Sequence, residues 1–170
     1  MQLQQLVKIQ LLISGAVFFL SGCNPSDKES GWSEETQIYN ANADDSLMVA
    51  AQQKSRKTVG EFVTALTSGD TTMYNFGVKA AFPADGFQEH IWLSNLTVKG
   101  DSIYGAIDNE PEYTKTVSIG QRVAVHKDSI TDWNYTKNNR LVGGYSIRVI
   151  RNRMSQKERA EFDKATEWQF

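Results

Sequence analysis

A single cysteine, Cys23, occurs in this 170-residue chain. No intrachain disulfide can form, so any core must hold by packing alone. Histidine is scarce too. His90 and His126 stand far apart, and neither a helical His-x-x-x-His nor a paired-cysteine spacing exists. That leaves no metal-ligand pattern, and neither a metal nor another cofactor is expected. The Gly-x-Ser-x-Gly turn that presents a hydrolase serine is missing as well. Gly143-Gly144 is no phosphate loop, since neither a lysine nor a helix start is expected after it. Charge of one sign is also lacking. The net charge is −2, and from Cys23 onward 17 basic residues face 20 acidic ones, giving −3. That balance gives no support to nucleic acid as a partner.

Long apolar runs are limited to Ile9–Leu20, short of the roughly 20 residues that a bilayer-spanning helix needs. Lys8 precedes this run, and small residues close it at Leu20-Ser21-Gly22-Cys23. A charged start, a short apolar run and small residues read as a secretory signal over residues 1–22. The ending resembles the lipobox of bacterial lipoproteins. The resemblance implies cleavage before Cys23 and diacylglycerol on its sulfur. Each buried CH₂ contributes about 0.8 kcal/mol, so two or three acyl chains would hold the protein firmly to a membrane. Asn24 stands where the inner-membrane retention signal has Asp, which points to the outer membrane, with the domain in the periplasm. Residues 23–44 are rich in Pro, Ser, Gly, Asn and acidic side chains and read as a flexible tether. Trp32, Ile38 and Tyr39 interrupt it, and one or two of them are expected to dock on the domain.

A single domain is expected over 45–170, of the α+β class. Asp44 or Asp45 can cap an amphipathic helix whose apolar face includes Met48, Ala51, Ser55, Val59, Phe62, Val63 and Leu66. Gly69 suits its end. Alternating runs then predict strands at Met73–Phe82, Phe87–Val98, Ser102–Asp108 and Gln121–His126. Pro83–Gly86 and Lys99–Asp101 are expected as turns. On the second strand Trp92, Leu96 and Val98 share a face with His90. Two strand-like runs flank Asn138-Asn139, a pair that can take the positive φ values of a hairpin turn. Trp133, Tyr135 and Tyr145 supply their apolar bulk, and Tyr145, Ile147 and Val149 alternate as a strand would. Gly143-Gly144 suggests a bulge or a close backbone approach. Ser155-Gln-Lys-Glu158 matches a capping box before a short C-terminal helix. The expected architecture is therefore an N-terminal helix on an antiparallel sheet of five or six strands.

The middle of the chain resembles the YegJ-like family of bacterial proteins. The match is carried by Lys79, Glu89-His90-Ile91-Trp92, Gly100-Asp101 with Gly105, Asn109-Glu-Pro111, Gly120, Ile130-Thr-Asp132-Trp133-Asn-Tyr135 and Gly143-Gly144-Tyr145. It covers about residues 44–151 and implies a compact α+β domain, but no activity.

The polar residues worth following are Glu89, His90 and Asp132. Histidine titrates near neutral pH, and a carboxylate could orient it, so His90 with Asp132 is the candidate pair for a small hydrolase or acid–base enzyme. Glu89 and His90 are adjacent on a strand and cannot both face one site. The simpler expectation keeps His90 at the core edge beside Trp92, bonded to backbone, with Glu89 solvated. Asp132 is likewise expected to accept backbone N–H bonds while Trp133 packs. Arg148, Arg151 and Arg153 form a basic cluster expected to be solvated, and Lys79 stands alone on the polar face of its strand. Lys79, Glu89, Trp92, Asp132, Trp133, Tyr145 and Arg148 together mark a possible partner face. The expected function is a non-enzymatic envelope lipoprotein that binds an envelope protein or other component. The alternatives are the His90–Asp132 enzyme and a structural or toxin-neutralising envelope protein. Oligomeric state is not legible.

Overall fold

The computed structural model describes the backbone of 31–33 and 38–40 and the whole of 45–170. The leader, Leu20–Cys23 and most of the tether lie outside the described residues, as do the side chains of Trp32, Ile38 and Tyr39. The chain divides into two units, 1–42 and 43–170. Within the first, β1 (Gly31–Ser33) pairs antiparallel with β2 (Ile38–Asn40), so part of the segment read as a tether is a two-stranded ladder.

The second unit has the expected α+β architecture. Helix α1 spans Ser46–Thr67, and its N-cap is Asp45, whose carboxylate accepts from the Leu47 and Met48 amides at 3.2 Å. Six antiparallel strands follow: β3 (Met73–Ala84), β4 (Phe87–Lys99), β5 (Ser102–Ile107), β6 (Arg122–His126), β7 (Ile130–Lys137) and β8 (Arg140–Gly143). Their order in the sheet is β6-β5-β4-β3-β7-β8. The first hairpin is tighter than expected, because Pro83 and Ala84 remain paired and only Asp85-Gly86 turn the chain. Pro83 is tolerated there because β7 pairing stops at Ala80, so the missing N–H faces no partner strand. Asn138 and Asn139 both take positive φ and close the β7–β8 hairpin.

One face of the sheet packs on α1. Val78 lies opposite Leu93 on β4 and Trp133 on β7, and all three are buried. Phe62 of α1 sits over this row, its ring 5.5 Å from that of Trp133. The Trp133 indole N–H also reaches the Ser55 carbonyl at 3.1 Å, tying the helix to the sheet.

Two expectations fail for physical reasons. Tyr145–Ile150 is not a strand: it belongs to helix α2 (Tyr145–Arg153). Gly143 and Gly144 both adopt positive φ, which ends β8 and turns the chain. A close approach is confirmed at Gly143, where a Cβ would collide with the Trp133 carbonyl and ring. Second, Leu96 and Val98 do not share a face with His90 and Trp92. Asn95 takes φ 52° within a register shift between Ser94 and Thr97. This bulge reverses the alternation, so Leu96 and Val98 pack against the core while His90 and Trp92 stay on the other face.

Ser155 and Glu158 form the capping box of α3 (Gln156–Thr166). Beyond α3, Gln169 accepts from the Leu141 amide and donates to the Asn139 carbonyl, both at 2.9 Å. Arg148 donates to the carbonyls of Gly143 (3.0 Å) and Leu141 (2.6 Å). The free edge of β8 is thereby covered rather than left as a template for another strand.

Candidate functional site

The sequence candidates separate into two groups. Asp132 heads the first. It is fully buried on β7, and its carboxylate accepts the backbone N–H of Trp133 (2.8 Å), Tyr145 (3.0 Å) and Ser146 (2.8 Å) and the Ser146 hydroxyl (2.5 Å). Gly144, the N-cap of α2, has no side chain to offer. Asp132 therefore caps that helix from another strand, supplying the acceptor that the first turn lacks. Burial pushes its carboxyl above the ordinary range, against the pull of Ser146, Lys79 and the backbone donors. Trp133 is buried in the core, so neither residue lies on an accessible partner face.

Glu89 belongs with them and is not solvated. It lies on the core face, opposite Phe82, and is buried. Its two oxygens accept the amides of Glu112 (2.7 Å), Tyr113 (3.0 Å) and Thr114 (2.7 Å). The carboxylate thus pins the loop between β5 and β6. The arginines are not a solvated cluster either. Arg148 holds the β8 edge, Arg151 pairs with Asp163 through two 2.6 Å bonds, and Arg153 pairs with Asp45.

The second group lies on the sheet face turned away from α1. Lys79 of β3 stands directly opposite Trp92 of β4, and Ala81 opposite His90. The Lys79 ammonium lies 4.9 Å above the Trp92 ring. Among the described residues it makes no hydrogen bond or salt bridge. Burial lowers its pKa, and the Asp132 charge works in the opposite direction. His90 is half-buried and bonds through Nδ1 to the Thr131 hydroxyl at 3.0 Å, not to backbone. Its pKa falls to about 4, through burial first and then the positive charges of Lys79 and Arg56. His90 and Asp132 do not form a hydrogen-bonded pair. Thr131 and Asn109 belong to the family pattern but were not among the candidate site residues. Thr131 holds His90, while the Asn109 side chain accepts from the Trp92 amide at 2.9 Å.

A second accessible feature is an open groove of about 530 Å³ beside β8, lined by Lys54, Arg140, Leu141, Tyr145, Arg148 and Phe170 among others. Tyr145 is half-buried there, its ring edge-on to Trp133 at 5.5 Å and its hydroxyl 3.1 Å from that of Thr58. Lys54, Arg140 and Phe170 gave no sequence signal, because the groove joins residues distant along the chain. Among the described residues, no three His, Cys, Asp or Glu side chains gather as a metal site would require.

Fold and site together define a small α+β domain whose buried carboxylates organise backbone while one sheet face carries an aromatic, a lysine and a histidine. The chain belongs to the family of uncharacterized proteins conserved in bacteria designated DUF2314, which matches residues 45–170. It is 31% identical over 119 residues to the uncharacterized protein YegJ of Escherichia coli K12, covering 69% of this chain and 76% of that one. It is 32% identical over 143 residues to a putative ankyrin repeat protein, NMB1133/NMB1171, of Neisseria meningitidis serogroup B. That match covers 77% of this chain but only 55% of the longer relative. No solved structure matches.

Proposed function

We propose that this protein is an acylated lipoprotein of the bacterial cell envelope, and that its domain is a binding module rather than an enzyme, using the sheet face of Lys79, His90 and Trp92. The observation that carries the binding reading is the contrast in how polar groups are employed. Asp132 and Glu89 are consumed by backbone amides, whereas Lys79 lies against the Trp92 ring and, among the described residues, makes no hydrogen bond. A half-buried cation, an imidazole and an aromatic ring on one sheet face suit recognition. The Leu20-Ser-Gly-Cys23 sequence supports the anchor, and Asn24 favours the outer membrane with the domain in the periplasm.

Mass spectrometry of the mature amino terminus tests the anchor. Diacylglycerol on Cys23 is expected, and an unmodified terminus elsewhere would overturn it. A photo-crosslinking residue placed at Ala81 tests the face, with the exposed Glu61 of α1 as control. A discrete adduct from envelope membranes at position 81 alone is expected; none, or equal labelling at both positions, would contradict the reading. Hydrolytic turnover that disappears in His90→Ala would replace the module with an enzyme.

A further inference from the structure

The hydrogen bonds around Thr131 fix which tautomer His90 adopts, and with it what the outer face can recognise. Thr131 has one hydroxyl proton, and it donates it to the Lys79 carbonyl at 3.2 Å. The same oxygen lies 3.0 Å from His90 Nδ1. Both contacts are satisfied together only when the hydroxyl donates to the carbonyl and accepts from an Nδ1–H, which assigns the imidazole proton to Nδ1. Nε2 is then a bare acceptor in the neutral ring. Among the described residues, neither Nε2 nor the Lys79 ammonium has a hydrogen-bond partner. Both residues are partly buried rather than sealed in the core. Lys79 and His90 are diagonal neighbours across β3 and β4, since their direct partners are Trp92 and Ala81. Such positions are typically about 7–8 Å apart at the backbone, a gap that two long side chains can bridge toward one ligand.

Building on the proposed binding face, we infer that it takes a carboxylate with a hydrogen-bond donor beside it. The carboxylate sits against the Lys79 ammonium, and the neighbouring O–H or N–H donates to His90 Nε2. The carboxylate opposite Lys79 across β3 and β7, Asp132, accepts from four other donors and makes no hydrogen bond to the lysine. Trp92 walls the site and keeps the ammonium partly dehydrated, which strengthens a charge-assisted bond to an incoming anion. A free hydroxy acid and the C-terminal residue of a peptide both carry this pair of groups.

The test is a titration of the ¹⁵N-labelled protein, read at the His90 ring nitrogens and by Trp92 fluorescence. The probes are glycolate, N-acetylglycine, acetate as the anion without a donor, and glycolamide as the donor without a charge. Glycolate or N-acetylglycine should bind about tenfold tighter than acetate, the ratio that one net hydrogen bond provides. Which of the two binds better separates a free hydroxy acid from a peptide end. Lys79→Gln should remove the preference for anions, and His90→Phe the preference for a donor, with the fold checked by circular dichroism. An Nε2–H tautomer in the free protein, equal binding of acetate and glycolate, or binding by no probe would each overturn the inference. If the probes fail while position 81 still crosslinks to an envelope component, the ligand class falls and the binding face stands. If both fail, the face itself is wrong.

Discussion

The β7–α2 junction and the outer face of β3–β4 lie side by side, joined by the opposed residues Lys79 and Asp132, yet they treat polar groups in opposite ways. At the junction the buried carboxylate serves mainly the backbone. Asp132 ties three amides and a hydroxyl, and Gly143 brings β8 close against Trp133. On the outer face, among the described residues, Lys79 has a ring but no acceptor, and His90 bonds through one nitrogen only. The difference teaches that a charged residue in a strand-rich domain declares its role by its partners. A carboxylate surrounded by N–H donors is architecture, while a cation beside a bare ring is available for something else.

Asp132→Ala should break this contrast most severely. It strands the Tyr145 and Ser146 amides at a helix start and the Trp133 amide on β7, and leaves Lys79 without its opposing charge, so a loss of about 3–5 kcal/mol is expected in urea unfolding. Gly143→Ala comes next. It forces a Cβ into the Trp133 carbonyl at φ 72°, and about 2–4 kcal/mol should be lost, read from the same denaturation midpoints.

The third expectation concerns pH. The folded pKa of His90 lies near 4, below the unfolded value of 6.5. Between those values the unfolded chain binds more protons, so stability rises with pH there. The contribution is complete above about pH 6.5 and is lost as the pH falls toward 4. The full window is worth about 2–3 kcal/mol after allowing for the partial exposure of His90. Subtracting the pH–stability curve of His90→Gln isolates it, since Asp132 titrates in both proteins. A difference curve that is flat across this window would mean that the imidazole is not desolvated. The smallest effect belongs to Lys79→Gln, expected within about 1 kcal/mol of wild type because the lysine gives up no hydrogen bond. A large loss in that variant would move Lys79 into the architectural group.

Much of this layout could be read from local pattern. The alternation of Ile103, Gly105 and Ile107, the Asp45 cap, the Asn138-Asn139 turn and the Ser155–Glu158 box all act within a few residues, and each is where the sequence indicates. What escaped depends on distance along the chain. Tyr145, Ile147 and Val149 alternate like a strand, but the helix there is capped by a carboxylate 13 residues upstream. Glu89 looks solvent-facing until the loop 23 to 25 residues later donates its amides. At Asn95 a single residue at positive φ reverses the facing of everything beyond it on β4. The candidate site was half legible for the same reason. Lys79, His90 and Trp92 could be named from their strands, but the contribution of Thr131 arises only where β7 bulges against β3.

Amide hydrogen exchange at Tyr145 and Ser146, compared between wild type and Asp132→Ala under conditions where both remain folded, probes the division of labour most directly. Slow exchange in wild type and a collapse of protection in the variant, concentrated at the first turn of α2, is the expected result. Unchanged protection at those two amides would show that the helix start is held by something else, and Asp132 would return to the pool of groups open to chemistry.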